Sequence, residues 1–297
     1  MSHGLGVAEL LASLPEPIVV LFALLTQLGD AWFIFGAVAL LYWLGDDRLT
    51  ENPREAGALL VALGVCALAA TVALKSFFAV HRPVGAGEAI PPSWLPAALE
   101  AGYQSIATGD GFGFPSGHAT GATVAYGGAA VLYDRVWTRK QRFTAAAGVV
   151  VVIALSRLVI GVHLLPDVLA GVVAGLLVLL GTLRFAGGRP DRAFVVATGI
   201  AVAALAVALA GGHTGEATKA AIGIGGGLGG VAEWSRHGDA ERSRVGLPVT
   251  LLGLPVLGVL WGGVYAAELA LPLSVLGSAV AVGGIVAVPR LVASWSE

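Results

Sequence analysis

Charge is what this chain has least of. Only 12% of its 297 residues are Asp, Glu, Lys or Arg, about half of the roughly 25% that a soluble domain uses to cover its surface. Cysteine is nearly absent too. The single Cys66 stands inside an apolar run, which excludes a disulfide scaffold or a thiolate metal cluster. The formal net charge of −2 excludes a basic nucleic-acid binder. No basic n-region of a cleavable signal peptide opens the chain, so its start is read as mature sequence. What is plentiful is apolar surface: 57% hydrophobic residues and a mean hydropathy of +0.85. That content excludes disorder and predicts an all-α, polytopic transmembrane helix bundle.

Apolar segments bounded by charge, Pro or Gly fall at about 17–45, 56–81, 116–134, 143–162, 166–184, 193–210, 217–233, 246–268 and 271–290. The first is too long for one upright helix, and Thr26-Gln27-Leu28-Gly29-Asp30 interrupts it. Residues 5–28 therefore read as an interfacial helix or a short extra span, for nine or ten spans in all. Positive residues are retained on the cytoplasmic side. Arg48, Arg54, Arg135, Arg139, Lys140, Arg142, Arg184, Arg189, Arg192, Arg236, Arg242, Arg244 and Arg290, thirteen of the 17 basic residues, share one face under strict alternation. Trp43, Trp137, Trp234 and Trp295 fall at the same face, as an interfacial belt would. This face is taken as cytoplasmic, with the C-terminus on it. Lys75, Arg82, Arg157 and Lys219 remain, all at the opposite end. Ionisable residues at the outer ends of spans are functional candidates by default.

Three short runs meet at that outer end. Lys75 and Arg82 are seven residues apart, which on a helix sets them on one face about 10 Å apart along the axis. Phe114-Pro115-Ser116-Gly117-His118 opens the next span. Pro and Ser are helix-start signals, Gly117 admits a ligand close to the backbone, and free N–H groups at a helix start suit an oxyanion. Ser156-Arg157 is followed by His163 and then Asp167 just past Pro166. Three cations, two histidines, a carboxylate and a glycine-opened helix start suit a tetrahedral oxyanion. The cations neutralise it, one histidine attacks, the other protonates the leaving oxygen and the carboxylate orients the attacker. No Asp/Glu cluster suited to Mg2+ stands beside these residues, so a metal-independent route is expected.

Lys75-x6-Arg82-Pro83, Pro115-Ser116-Gly117-His118 and Ser156-Arg157-x5-His163-x3-Asp167 resemble, complete and in order, the three signature motifs of the type 2 phosphatidic acid phosphatase (PAP2) superfamily. That superfamily also includes the vanadium haloperoxidases. The resemblance implies a phosphohistidine on His163 oriented by Asp167, with His118 as general acid. It implies phosphate binding by Lys75, Arg82 and Arg157, helped by Ser116 and the Gly117 backbone, with no cofactor. The expected substrate is a lipid phosphate or isoprenoid diphosphate, reached from the extracytoplasmic face. The division is a core over 1–186 and a helical extension over 187–297, which departs from the family layout. A phosphotransferase using the same site and a non-enzymatic lipid carrier or flippase are the rival readings.

Other features read more plainly. Ser116 has a competing role as helix N-cap, and His81 is a bystander. His213, Glu216 and Lys219 form a solvated outer connection. Gly109-Asp110-Gly111-Phe112-Gly113 lacks the context of a nucleotide loop and reads as a flexible lid or hinge. Glu233 and Glu268 are interface residues. The glycine-rich stretch 223–230, like Gly171 and Gly175, offers the spacing of close helix packing, within the chain or in a homo-oligomer.

Overall fold

Each apolar run becomes helix in the computed structural model, which describes residues 14–237, 245–267 and 269–295. The helices are α1 (Glu16–Leu25), α2 (Ala31–Leu44), α3 (Pro53–Phe78), α4 (Ala97–Ala107), α5 (Gly117–Leu132), α6 (Arg139–Val159), α7 (Leu165–Ala186), α8 (Pro190–Ala210), α9 (Thr214–His237), α10 (Leu247–Ala266) and α11 (Leu271–Trp295). Six of them, α3, α6, α7, α8, α10 and α11, are long and apolar enough to cross a membrane. The pair made by 16–29 and 31–44, bent by 49°, brings the count to seven. Two less apolar or shorter helices, α5 and α9, traverse the bundle between these. The result is a multi-pass membrane helix bundle. Of the uncertain segment 5–28, residues 5–13 lie outside the described ones. The rest is α1 running through a 3-10 turn (Thr26–Gly29) to the bend at Asp30.

Helix ends follow local chemistry. Pro53, Pro166 and Pro190 sit in the first turns of α3, α7 and α8, where a missing N–H costs nothing. Thr138 and Gln141 cap α6 reciprocally. Asp30 caps α2 by accepting from the Trp32 N–H at 3.3 Å. At the far end of α3, Ala79 turns left-handed with φ 47° while its N–H bonds the Lys75 carbonyl at 2.9 Å. The helix therefore stops before Arg82. The expectation that Lys75 and Arg82 share a helix face is corrected: Arg82 leaves on an extended segment, where Pro83 disfavours the α conformation.

In lipid, helices associate by close packing, which small residues allow. Helix α3 is buried on nearly every side and forms the axis of the core with α2, α5, α7, α8 and α9. A methyl on Gly227 or Gly230 would strike Thr198 or Phe194 of α8, and one on Gly225 or Gly229 would strike the α11 backbone at Val275 or Ala279. The glycine-rich face of α9 is thus occupied within its own chain. Gly175 of α7 lies against Thr120 and Thr123 of α5 in the same way.

Trp43 overturns its expected place in an interfacial belt. It is fully buried, and its indole N–H donates to the Ile285 carbonyl at 2.8 Å. Pro289 lies inside α11 and removes the N–H that would have bonded that carbonyl four residues back. The indole supplies the missing donor, and Tyr42 donates its hydroxyl proton to the next carbonyl, Val286, at 3.0 Å. Trp137, by contrast, is well exposed. Glu233 bonds Arg236 and Arg290, each at 3.2 Å. Glu268, Arg242 and Arg244 fall outside the described residues.

Candidate active site

Three chain segments deliver the motif residues to one end of the bundle. Lys75 stands in the last turn of α3. Beyond it the chain returns at 109–113 and is clasped to the Arg82 segment. The Gly113 N–H donates to Val80 at 2.7 Å, the Gly109 N–H to Ala86 at 2.8 Å, and His81 bridges Phe112. A β-carbon on Gly109 would lie 2.7 Å from the Arg82 Nη1, so glycine lets the guanidinium lie where it does against this segment. The expected lid or hinge is therefore a backbone clasp that aims Arg82. His81 itself is exposed, its ring tilted at 53° to that of Phe112 with centroids 5.9 Å apart.

The second motif opens α5. A β-carbon on Gly117 would lie 3.1 Å from the Thr71 methyl of α3, so glycine brings this helix start against α3. Ser116 occupies the N-cap position, but its side chain forms no cap hydrogen bond; its hydroxyl is buried without a partner among the described residues. Its N–H donates to the Asp167 carbonyl at 2.9 Å, which ties α5 to α7. The third motif runs from Arg157, near the end of α6, through His163 on the intervening turn. It closes with Asp167 in the first turn of α7, whose carboxylate accepts from the Leu164 N–H at 2.7 Å.

Lys75, Arg82, Gly117, His118, Arg157 and His163 all line one cavity of about 460 Å³. Ser116 and Asp167 stand behind its wall. Arg82 donates from Nε to the Asp110 carbonyl at 2.7 Å and from Nη1 to the Val162 carbonyl at 3.0 Å; the same Nη1 lies 3.1 Å from His163 Nε2. A guanidinium can only donate, so Nε2 accepts and the imidazole proton belongs on Nδ1. That Nδ1 faces Asp167 Oδ2 at 3.5 Å, within ion-pair reach but outside hydrogen-bond geometry. Arg157 donates to the Thr26 hydroxyl at 3.0 Å and approaches His118 Nε2 at 3.5 Å. Burial, reinforced against Asp167 by the charges of Arg82, Arg157 and Lys75, holds the His163 pKa well below the ordinary histidine range. The imidazole is neutral at physiological pH, with its Nε2 lone pair turned to the cations.

Three further residues belong to this cavity and were not picked out as site residues from sequence. Asp30 Oδ2 lies 3.6 Å from His118 Nε2. Its only sequence signal was a carboxylate in the middle of an apolar run. Glu216 and Lys219 correct the expectation of a solvated connection. Glu216 is buried, 5% exposed, and both residues line the cavity, with Lys219 Nζ bonding Glu216 Oε1 at 3.1 Å. Lys219 was already visible as the fourth basic residue at the outer end. Among the described residues no group of three or more His, Cys, Asp or Glu could hold a metal ion.

Comparison with known proteins bears on these residues directly. A lipid A 4'-phosphatase from Porphyromonas gingivalis is 29% identical over 149 residues, half of this chain and 57% of the relative's length. The chain thus spans less than two thirds of that relative. No solved structure matches it. The PAP2 superfamily model matches residues 55–191, a stretch that carries all three motifs. That stretch, somewhat less than half of the chain, is similar to the PAP2 superfamily.

Proposed function

We propose that this protein is a membrane lipid phosphatase that releases phosphate from a lipid phosphate or diphosphate through a phosphohistidine. The observation that carries the reading is the meeting of three cations and two imidazoles, from three separate chain segments, around one cavity of about 460 Å³. The similarity to a lipid A 4'-phosphatase supports a phosphorylated lipid as substrate.

In this mechanism the phosphoryl oxygens take the donors of Lys75, Arg82, Arg157 and the Gly117 backbone, with Ser116 supporting that turn. Arg82 turns from His163 Nε2 to the phosphate, which frees the nucleophile's lone pair. Nε2 attacks phosphorus as the bond to the leaving oxygen breaks, and His118 gives that oxygen its proton. Asp167 meets the imidazolium charge that develops, through the Nδ1–H. A water then attacks the phosphohistidine; His118 takes its proton, the P–N bond breaks, and inorganic phosphate leaves. Asp30, beside His118 Nε2, favours the protonated acid before the first step. No step requires a metal.

The site opens on the extracytoplasmic face and the arginine-rich end, with the C-terminus, is cytoplasmic; the distribution of basic residues supports this. Residues 1–186 carry the chemistry, and 187–297 form an extension packed onto it. The test is phosphate release from phosphatidate, phosphatidylglycerol phosphate and isoprenoid diphosphates by purified protein with EDTA present. Release that survives EDTA, with an acid-labile phosphoenzyme lost in His163→Ala, supports the reading. A fully active His163→Ala protein removes the assigned nucleophile, and lipid movement across vesicles without phosphate release favours a carrier.

A further inference from the structure

A second hollow adjoins the phosphate cavity. It has a volume of about 570 Å³, and Asp110, Glu216, Lys219 and Tyr265 line both spaces. The Glu216–Lys219 pair is therefore the partition between them. On the outer side it is joined by His213 and Thr214, and on the inner side by Trp261, which stacks on Tyr265 with centroids 5.6 Å apart and planes at 21°. Apart from Asp110 these residues belong to α9, α10 and the turn before α9, outside the stretch 55–191 that matches the family. The helical extension thus completes the wall of the site.

The chemistry of this partition differs from that of the cradle. Around the phosphate position stand Lys75, Arg82 and Arg157; around the partition stand two carboxylates, Asp110 and Glu216, and one ammonium. A second phosphate there would meet a lysine already paired and a net negative surround. Hydroxyl groups fit, because they donate to carboxylates and accept from the ammonium. Glu216 is also held at a cost: its Oε2 is buried without a hydrogen-bond partner among the described residues. Carboxylate oxygens in that condition call for an explanation, and a ligand hydroxyl is one. The stacked Trp261–Tyr265 pair offers an apolar face beside these polar groups, the mixture typical of small-molecule sites.

We propose that Glu216, Lys219 and Tyr265 form a headgroup subsite, built by the helical extension, that selects lipid phosphates whose headgroup carries hydroxyls, a glycerol or a sugar, over bare phosphatidate and over diphosphates. The inference rests on the phosphatase reading above and names the substrate class of that site.

The experiment measures kcat/KM for phosphate release by the full-length protein in detergent. Four substrates are compared: phosphatidylglycerol phosphate, a glucosamine-based glycolipid monophosphate, phosphatidate and farnesyl diphosphate. The first two separate glycerol from sugar. Wild-type protein prefers one or both of them over phosphatidate by about tenfold or more; Glu216→Gln shrinks that ratio by about tenfold, the scale of a lost hydrogen bond to a charged partner, and Tyr265→Ala shrinks it by removing the apolar face. Competition by inorganic phosphate and the melting temperature of each variant report whether the cradle is still formed. A wild-type ratio near one, a ratio unmoved in both variants, or a preference for the diphosphate that vanishes in Lys219→Met overturns the subsite. Those results leave the phosphatase reading standing. Absence of phosphate release from every substrate by wild-type protein overturns that reading, and the subsite with it.

Discussion

Replacement of Arg82 by lysine separates charge from geometry at the centre of the site. The guanidinium aims its Nε at the Asp110 carbonyl at 2.7 Å and shares Nη1 between the Val162 carbonyl at 3.0 Å and His163 Nε2 at 3.1 Å. Those bonds fix its plane, and the clasp at 109–113 closes over it. A lysine keeps the positive charge but brings one nitrogen on a flexible stem, so it cannot hold the loop carbonyls and face the phosphate together. Each charged hydrogen bond contributes about 1.5–3 kcal/mol. Loss of one or two, softened by relaxation, leaves a deficit of about 3 kcal/mol at the transition state, or roughly a hundredfold in kcat/KM. The assay is phosphate release from a lipid phosphate in detergent, with Arg82→Ala alongside, which loses the charge as well and falls further. An Arg82→Lys protein within about threefold of wild type would sink the reasoning, because charge without the fork would then suffice.

Other expectations follow from particular contacts. Removing the carboxylate beside His118 in Asp30→Asn slows cleavage of alkyl phosphates by about tenfold or more and of nitrophenyl phosphate much less, since only the alkoxide needs its proton; equal losses on both would argue against acid catalysis through His118. The lowered pKa of His163 means that it gives up its proton at a lower pH than an ordinary histidine, so it stays neutral as pH falls through about 6.5. ¹⁵N-histidine spectra should show His163 neutral at pH 5.5, and a titration near 6.5 would contradict the burial argument. A methyl at Gly171 would lie 2.6 Å from the Ser116 carbonyl, so Gly171→Ala costs about 1–3 kcal/mol and shifts the helix start that carries His118, read as a lower melting temperature and lower kcat together. Trp43→Phe leaves the Ile285 carbonyl without its donor beside Pro289, a loss of about 1–3 kcal/mol that calorimetry in detergent measures and that spares KM.

Much of this protein was legible in its residues because the signals were local or repeated. Long apolar runs forced helices, since a backbone in lipid must bond to itself. The positions of basic residues ordered the two ends of the bundle. The three motifs marked six of the residues that line the cavity, together with Ser116 and Asp167 behind it. What local spacing missed came from contacts between distant segments. The seven residues from Lys75 to Arg82 suggested one helix face, but the turn at Ala79 and the clasp to 109–113 decide where Arg82 points. Trp43 looked like a belt residue until a proline far along the chain left it a carbonyl to satisfy. Asp30, Glu216 and Lys219 are separated by more than a hundred residues from one motif or another, and only the packing of α2 and α9 against α3 brings them to the cavity that the motif residues line. Composition and motif order determined what kind of bundle this is and which motif residues meet at one end of it; tertiary packing alone decided which carboxylates and aromatics share the cavity, because burial and charge pairing depend on neighbours that sequence distance does not reveal.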